Sequence, residues 1–225
     1  MHKFQTSRPD AGSNVGLWNL AIGSWSLFGI WFLVLGISLS AAAPLPPCCR
    51  PPLPMGTPTD KSLYLLDSKW TSDVGREIKL GALRGRPQIV AMFFTQCEYA
   101  CPILVSELQT IERRLPPAVL AKVDFLLVSI DPKRDTPAAL ATFREKRALA
   151  RERWSLLRGE ADDVRELAAL LGVNYAEDAR GQFAHSNLIT LLNAEGEIVF
   201  QHAGLKQEPA PLIAAIEKAA GGAQR

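Results

Sequence analysis

Residues 88–102 read QIVAMFFTQCEYACP, a stretch that decides the fold because it predicts a buried strand running directly into a helix. Its first part, residues 88–95, is an apolar run of the kind found in strands covered on both faces of a parallel sheet. Beyond the cysteines, apolar residues repeat at the spacing of one helix face, namely Leu104, Leu108, Ile111 and Leu115. The stretch therefore predicts a strand-to-helix unit of an α/β domain.

The rest of the chain continues the alternation of strands and helices. Predicted strands cover residues 62–66, 77–80, 88–95, 123–130, 154–157, 187–192 and 197–202. Further helices begin at Thr136-Pro137, end at Gly172, and close the chain before Gly221. Parallel units followed by an antiparallel hairpin and a closing helix predict a thioredoxin-like α/β fold with extra N-terminal strands.

The N-terminal part of the chain predicts a membrane anchor. No charged residue occurs between Asp10 and Arg50, and residues 16–43 are mostly apolar. About 20 apolar residues cross a bilayer, whereas the core of a signal peptide has about 7–15. We favour a single retained transmembrane helix over removal at the small residues 40–43. Lys3 and Arg8 precede the span, so the C-terminal domain is expected on the periplasmic side of the inner membrane.

These features divide the chain into four predicted parts. Residues 1–15 are a cytoplasmic N-terminus, 16–43 the anchor or signal segment, 44–60 a linker, and 61–225 the thioredoxin-like domain. The linker is proline-rich and is expected to form a semi-rigid stalk. Two adjacent cysteines in this linker, Cys48 and Cys49, are interpreted as stalk thiols or an intermolecular link rather than metal ligands.

The charge pattern excludes nucleic-acid binding. The formal net charge is +2, from 25 basic and 23 acidic side chains. Lys3, Arg8 and Arg50, offset by Asp10, supply all of this excess, so the domain itself is neutral. A neutral domain lacks the basic surface that a phosphate backbone requires.

Cys97 and Cys101 fall at the junction between the buried strand and its helix. Ligands of open α/β sheets bind at the carboxyl ends of the strands. Pro102 suits a first helical turn, where unpaired N–H groups and the helix dipole lower a thiol pKa from about 8.5. The pair therefore predicts either a redox-active disulfide or two ligands of one metal ion. A permanent structural disulfide is the alternative, since exported domains favour such bonds.

His185 is the third candidate residue of the site. It precedes the predicted strand 187–192, and in a thioredoxin-like sheet the loop before this strand lies beside the active-site helix. Thioredoxins place a cis-proline there, which this chain lacks. Of the other histidines, His2 is predicted inside the cell and His202 lies out in the hairpin. His185 is therefore the best-placed imidazole, although a hydrogen-bonded loop histidine without a ligand is the alternative.

Two thiolates and one imidazole form a soft donor set. Such ligands suit Cu(I) in a trigonal site, and also Cu(II) if water or a carboxylate completes the shell. Zinc accepts the same ligand types but usually has four protein ligands in structural sites. Three protein ligands leave an open position, which favours delivery of the metal over storage.

Three segments resemble the signature blocks of the Sco/SenC family of membrane-anchored, thioredoxin-like copper chaperones. They are FFTQCEYACP at residues 93–102, SIDPKRDTP at 129–137 and AHS at 184–186. The resemblance extends from about Lys61 to Lys218, with the blocks in the order of the family. The three blocks together are specific, whereas the spacing of the two cysteines alone is a weak signal.

The resemblance implies that copper, as Cu(I) or Cu(II), is bound by Cys97, Cys101 and His185. It also implies delivery of this copper to the binuclear copper centre of cytochrome c oxidase, or reduction of the cysteines of that centre. The expected partner is the copper-bearing subunit of the oxidase or another exported cuproprotein. We therefore expect a metallochaperone rather than an enzyme.

Two alternatives use the same cysteines. In a thiol-disulfide oxidoreductase, the Cys97 thiolate would attack a target disulfide and Cys101 would resolve the mixed disulfide. A peroxidase of the same fold would turn over peroxide through Cys97 alone.

Four nearby residues receive lesser roles. Asp131 ends a buried strand beside the predicted site and could position a ligand. Asp135 is interpreted as a helix cap. Glu98 and Tyr99, between the cysteines, are expected to contact a partner.

Overall fold

The structure, a computed structural model, describes residues 57–179 and 183–222. Within these residues the strands form one seven-stranded sheet and one two-stranded sheet. The strands are β1 (Trp70–Ser72), β2 (Glu77–Ile78), β3 (Gln88–Phe93), β4 (Asp124–Ser129), β5 (Trp154–Gly159), β6 (Tyr175–Glu177), β7 (Phe183–His185), β8 (Leu188–Leu192) and β9 (Ile198–Ala203). The helices are α1 (Ala100–Arg114), α2 (Pro117–Leu120), α3 (Pro137–Arg147), α4 (Ala161–Leu171) and α5 (Ala210–Gly222), and short 3₁₀ helices cover Leu63–Leu65 and Leu80–Leu83.

The large sheet has the strand order β2-β1-β5-β4-β3-β8-β9. Its centre is parallel, with β3 paired to β4 and β4 to β5. On one side β8 is antiparallel to β3 and β9 is antiparallel to β8, whereas on the other side β1 is antiparallel to β5 and to β2. This arrangement confirms the predicted thioredoxin-like α/β fold, in which β1 and β2 are the extra N-terminal strands.

The central strands and α1 form the part of the core that supports the cysteines. Every residue of β3 and of β4 is buried, as the apolar runs in the sequence predict. The predicted apolar face of α1 packs against them, and Leu104 and Leu108 are fully buried. Each buried leucine side chain contributes roughly 1.5–3 kcal/mol of burial free energy. The cysteines therefore lie where two well-packed elements meet.

The predicted boundaries of α3 and α4 are confirmed by their capping contacts. The Oγ1 of Thr136 accepts a hydrogen bond from the N–H of Ala139 at 3.2 Å, and Pro137 is the first residue of α3. Gly172 ends α4 with a φ of +73°, a left-handed conformation that favours glycine.

The N-terminal strands differ from the prediction. Residues 62–66 contain a 3₁₀ helix instead of a strand, and the Oγ of Ser62 caps this helix by accepting a hydrogen bond from the N–H of Tyr64. The predicted strand at 77–80 is shortened to β2. The sequence analysis missed β1, whose Trp70 lies fully buried against Gly159, where a Cβ would come within 2.7 Å of the indole ring.

The two-stranded sheet was also missed. β6 pairs with β7 in antiparallel register, with Tyr175 opposite His185. His185 therefore ends a short strand, and the prediction that it lies in a loop is wrong. We call these two strands, with the residues 178 and 179 that follow β6, the ribbon.

The predicted anchor and most of the linker, together with Cys48 and Cys49, lie outside the described residues. Among the helices of residues 57–179 and 183–222, none combines the length and the apolar character needed to span a membrane.

Candidate functional site

The strand-to-helix junction brings the two cysteines together. Cys97 lies in the turn between β3 and α1 and is half-buried, whereas Cys101 is the second residue of α1 and is fully buried. The N–H of Cys101 donates a hydrogen bond to the Cys97 Sγ at 3.2 Å. Both cysteines are free thiols, so the structure shows the reduced form of the pair.

The two thiols differ in acidity. A hydrogen bond from the Cys101 thiol, with others from the backbone N–H groups of Cys101, Tyr99 and Ala100, lowers the pKa of Cys97 to about 5. The same thiol–thiolate hydrogen bond, together with burial, raises the pKa of Cys101. At neutral pH Cys97 is therefore a thiolate and Cys101 keeps its proton.

His185 approaches the buried cysteine. Its Nε2 lies 3.7 Å from the Cys101 Sγ, and its Nδ1 lies 3.2 Å from the carbonyl oxygen of Ser186. A carbonyl oxygen only accepts hydrogen bonds, so Nδ1 is the donor in this contact and Nε2 is the ring nitrogen that faces the sulfur. An imidazole whose second nitrogen is held by a backbone carbonyl is the arrangement typical of a metal ligand.

The separation of this sulfur and nitrogen suits a shared ion. A sulfur about 2.3 Å and a nitrogen about 2.0 Å from one ion lie roughly 3.5–3.7 Å apart at tetrahedral to trigonal angles. The Cys101–His185 distance of 3.7 Å agrees with this value. In the part of the chain that the structure describes, however, no three His, Cys, Asp or Glu side chains already converge as a metal-binding group. A three-ligand site would therefore need a movement of Cys97 or His185.

Asp135 is the site residue that the sequence analysis misread. Its carboxylate is fully buried and accepts hydrogen bonds from the N–H and Oγ1 of Thr95 and from the Oγ of Ser129. Burial raises its pKa. The interpretation of Asp135 as a helix cap is wrong, because Thr136 caps α3. Asp135 instead fixes the turn that leads to Cys97.

The other candidates lie around the cysteines. The buried carboxylate of Asp131 accepts hydrogen bonds from the N–H and Nε of Arg134. Tyr99 is 81% exposed, so its ring is available to a partner as predicted, and Glu98 is exposed beside it. His202 lines a groove of about 470 Å³ between α1 and the β8–β9 hairpin.

Two solved structures share this fold. Arabidopsis thaliana ScoI with copper bound has a TM-score of 0.59 at 19% identity, and the match covers 69% of this chain and 96% of that chain. BsSco, a member of the Sco family of cytochrome c oxidase assembly proteins in which a disulfide switch was identified, has a TM-score of 0.62 at 21% identity, covering 74% and 98%. At these identities the likeness concerns the fold alone.

Sequence comparison assigns the family. The SCO1 protein homolog of Bacillus subtilis (strain 168) is 24% identical over 138 residues, which are 60% of this chain and 71% of that protein. The profile of the SCO1/SenC family matches residues 60–221, which is most of the chain. The chain therefore belongs to the SCO1/SenC family.

Proposed function

We propose that this protein is a copper chaperone that binds one copper ion through Cys97, Cys101 and His185. The observation that carries the proposal is the approach of the His185 Nε2 to the Cys101 Sγ at 3.7 Å, while the Nδ1 of the same ring contacts the carbonyl oxygen of Ser186. Family membership supports it, since ScoI of Arabidopsis thaliana is a relative in fold that has copper bound.

The chemistry of the three side chains suits this cargo. Two thiolates and an imidazole favour Cu(I), and accommodate Cu(II) when an oxygen ligand is added. Cys97 is a thiolate before the metal arrives, because its pKa is about 5. Copper binding at neutral pH therefore displaces the proton of Cys101, whose pKa is raised. A disulfide between the cysteines would remove both thiolates, so the redox state controls loading.

We further propose that the acceptor is the copper-bearing subunit of cytochrome c oxidase or another exported cuproprotein. BsSco belongs to a family of cytochrome c oxidase assembly proteins, which supports this class of partner. The apolar residues 16–43 support an inner-membrane anchor with the domain on the periplasmic side.

Copper titration of the reduced full-length chain tests the proposal. Cu(I) is delivered from a competing chelator to wild type, His185→Ala and His202→Ala, the last being a matched control on β9. We expect one copper per chain, weaker binding in His185→Ala and unchanged binding in His202→Ala. X-ray absorption should count two sulfur neighbours and one nitrogen neighbour. Equal, tight binding in wild type and His185→Ala would remove the histidine from the site.

A thiol-disulfide oxidoreductase is the second candidate, favoured by the different acidity of the two thiols. The Cys97 thiolate would attack a target disulfide and release one target thiolate. Cys101, after losing its proton, would then attack the Cys97 sulfur and release the second target thiol. The chain would lose two electrons and the target would gain them. Catalytic reduction of disulfides, with copper lost to a competing chelator, would favour this candidate over the chaperone.

A further inference from the structure

The ribbon that carries His185 is not part of the large sheet. Its strands β6 and β7 pair only with each other among the described residues. An isolated two-stranded ribbon is marginally stable in water, so side-chain contacts must hold it in place. At its base, the N–H of Ser186 donates to the carbonyl oxygen of Asn174 at 2.8 Å. This backbone hydrogen bond holds the base of the ribbon, and other contacts must hold the strands β6 and β7 beyond the base.

Phe183 provides such a contact through the buried ring of Phe94. It lies two residues before His185, so both side chains project from the same face of β7. The ring of Phe94, which is 2% exposed, meets Phe183 edge-on at 5.5 Å and His185 edge-on at 6.1 Å between centroids. Phe94 also accepts, through its carbonyl oxygen, a hydrogen bond from the N–H of Cys97. Phe94 therefore touches both halves of the candidate site, with its ring on the ribbon and its carbonyl oxygen on Cys97.

Arg134 covers Phe183 from the solvent side. Its guanidinium carbon lies 5.6 Å from the centroid of the Phe183 ring, within the range of a cation–π interaction. The carboxylate of Asp131, which is buried, accepts hydrogen bonds from the Nε and the N–H of Arg134. An ion pair within the loop after β4 thus orients the guanidinium.

We propose that the stack of Phe94, Phe183 and Arg134 holds the ribbon against the domain and thereby positions His185 beside Cys101. Phe183 and Arg134 are positioning residues for copper, so the inference rests on the proposed function. Asp131 acts at one remove, by orienting Arg134. The stack also offers a route for release, because moving Phe183 from between Phe94 and Arg134 withdraws His185 and leaves the cysteines in place.

A salt bridge between the same two elements gives a matched control. Lys133 Nζ lies 3.9 Å from the Glu177 carboxylate, and the two side chains are 82% and 41% exposed. Exposed ion pairs of this kind contribute little. Lys133→Gln therefore removes a contact between the loop and the ribbon without disturbing the stack.

The variants Arg134→Gln, Arg134→Lys and Phe183→Leu test the proposal in the full-length chain. Glutamine keeps a donor for Asp131 but removes the cation, so we expect Cu(I) affinity to fall roughly two- to fivefold, as loss of an exposed cation–π contact implies. Arg134→Lys should restore most of this loss. Phe183→Leu loses both ring contacts and should cost roughly five- to tenfold. Lys133→Gln should leave the affinity unchanged.

A double-variant cycle separates positioning from general destabilisation. If Arg134 acts through the imidazole, Arg134→Gln should weaken copper binding in wild type and have no further effect in the His185→Ala background. An equal loss in both backgrounds would overturn the proposal, as would unchanged affinity in both Arg134→Gln and Phe183→Leu.

A copper-free measurement keeps this test independent of the proposed function. Nitrogen NMR of labelled histidine in the reduced chain should show a single Nδ1–H tautomer for His185 in wild type and in Lys133→Gln. Arg134→Gln and Phe183→Leu should shift the signal toward that of free imidazole, while the His202 signal stays constant. If wild type binds no copper but the His185 signal behaves in this way, the chaperone proposal fails and the positioning role remains. An unchanged His185 signal in both variants would overturn the positioning role.

Discussion

The cysteine half of the candidate site lies on the central sheet, whereas the histidine half lies on the separate ribbon. β3 is buried along its entire length, and α1 packs on it through fully buried leucines. In β7, by contrast, each of the three residues is exposed or only partly buried. The cysteines are therefore held by the fold itself, and His185 is held by a few side-chain contacts. In the proposed copper chaperone, this difference favours the sulfur half for holding the metal and the imidazole half for releasing it.

The largest expected effect concerns the acidity of the cysteine half. In the reduced, copper-free chain, iodoacetamide should modify Cys97 with a midpoint near pH 5, because its pKa is lowered to about 5. The rate should fall as the pH drops through this value, since only the thiolate reacts. Cys101 should stay unmodified up to about pH 9, because its pKa is raised. Mass spectrometry of the modified peptides measures both.

The same experiment in His185→Ala tests whether the two halves are independent. The hydrogen bonds that lower the pKa of Cys97 come from its own turn and from Cys101, so the midpoint should not move. A midpoint near the ordinary value of about 8.5, or a clear shift in His185→Ala, would contradict the assignment.

Copper affinity should depend more on a cysteine than on the histidine. Cys101→Ser removes a thiolate that lies on the core, and we expect affinity for Cu(I) to fall by at least about a hundredfold. His185→Ala should cost roughly tenfold, because the two thiolates still hold the ion. Chelator competition measures both, and circular dichroism checks that each variant is folded.

Two further variants provide an alternative test and a control for the predicted loss of copper affinity. Cys97→Ser replaces the half-buried thiol and tests the sulfur half if Cys101→Ser fails to fold. The double variant Cys48→Ser/Cys49→Ser is the matched control, since these thiols belong to the linker, and it should bind copper as wild type does. If His185→Ala lowers the Cu(I) affinity more than either cysteine variant does, the histidine half, and not the cysteine half, contributes most to copper binding.

Asp135 should contribute to the free energy of unfolding by holding the turn that leads to Cys97. Asp135→Ala leaves the N–H of half-buried Thr95 and the hydroxyl of buried Ser129 without their acceptor, which costs about 2 kcal/mol of unfolding free energy. Asp135→Asn should cost less, because an amide oxygen still accepts that bond. Urea unfolding measures both against Asp162→Ala, whose side chain is 92% exposed and contributes little. Equal stability of Asp135→Ala and wild type would show that the turn does not depend on this carboxylate.

The cysteine half could be predicted from the sequence because its signals are local. The apolar run of β3, the leucine spacing of α1 and the position of Pro102 all lie within about thirty residues, and each follows from strand or helix geometry. The capping of α3 by Thr136 is local for the same reason. The role of Asp135 is not local, because it depends on the parallel register that places Phe93 opposite Ser129.

The histidine half could be predicted only in part. The thioredoxin-like fold placed His185 near the dithiol helix, and its 3.7 Å distance from Cys101 agrees with that expectation. The ribbon itself could not be predicted, because β6 and β7 have three residues each, too few for an alternation to be recognised, and none of these residues is buried. The contact between Arg134 and Phe183 joins two segments that are far apart in sequence, so no local sequence pattern predicts it.

The smallest expected effect is on hydrogen exchange, which tests whether the ribbon opens separately from the large sheet. The Oγ of Ser186 accepts a hydrogen bond from the N–H of Asn174 at 2.9 Å, at the base of the ribbon. Ser186→Ala removes this acceptor, which costs about 1 kcal/mol and should speed hydrogen exchange at the Asn174 amide roughly fivefold. The amides of β3 should remain much better protected than the Asn174 amide in both wild type and variant, because they open only when the whole domain unfolds.

The exchange pattern of this variant decides whether the two halves open separately. Ser106→Ala, at an exposed position on α1, is the matched control and should leave the Asn174 amide unchanged. If the Asn174 amide and the β3 amides show the same opening free energy, the ribbon opens only together with the sheet, and His185 could not be withdrawn while the cysteines stay in place. A clearly smaller opening free energy at the Asn174 amide would mean that the imidazole can leave a bound ion at a small cost, with both sulfurs still held by the turn after β3 and by α1.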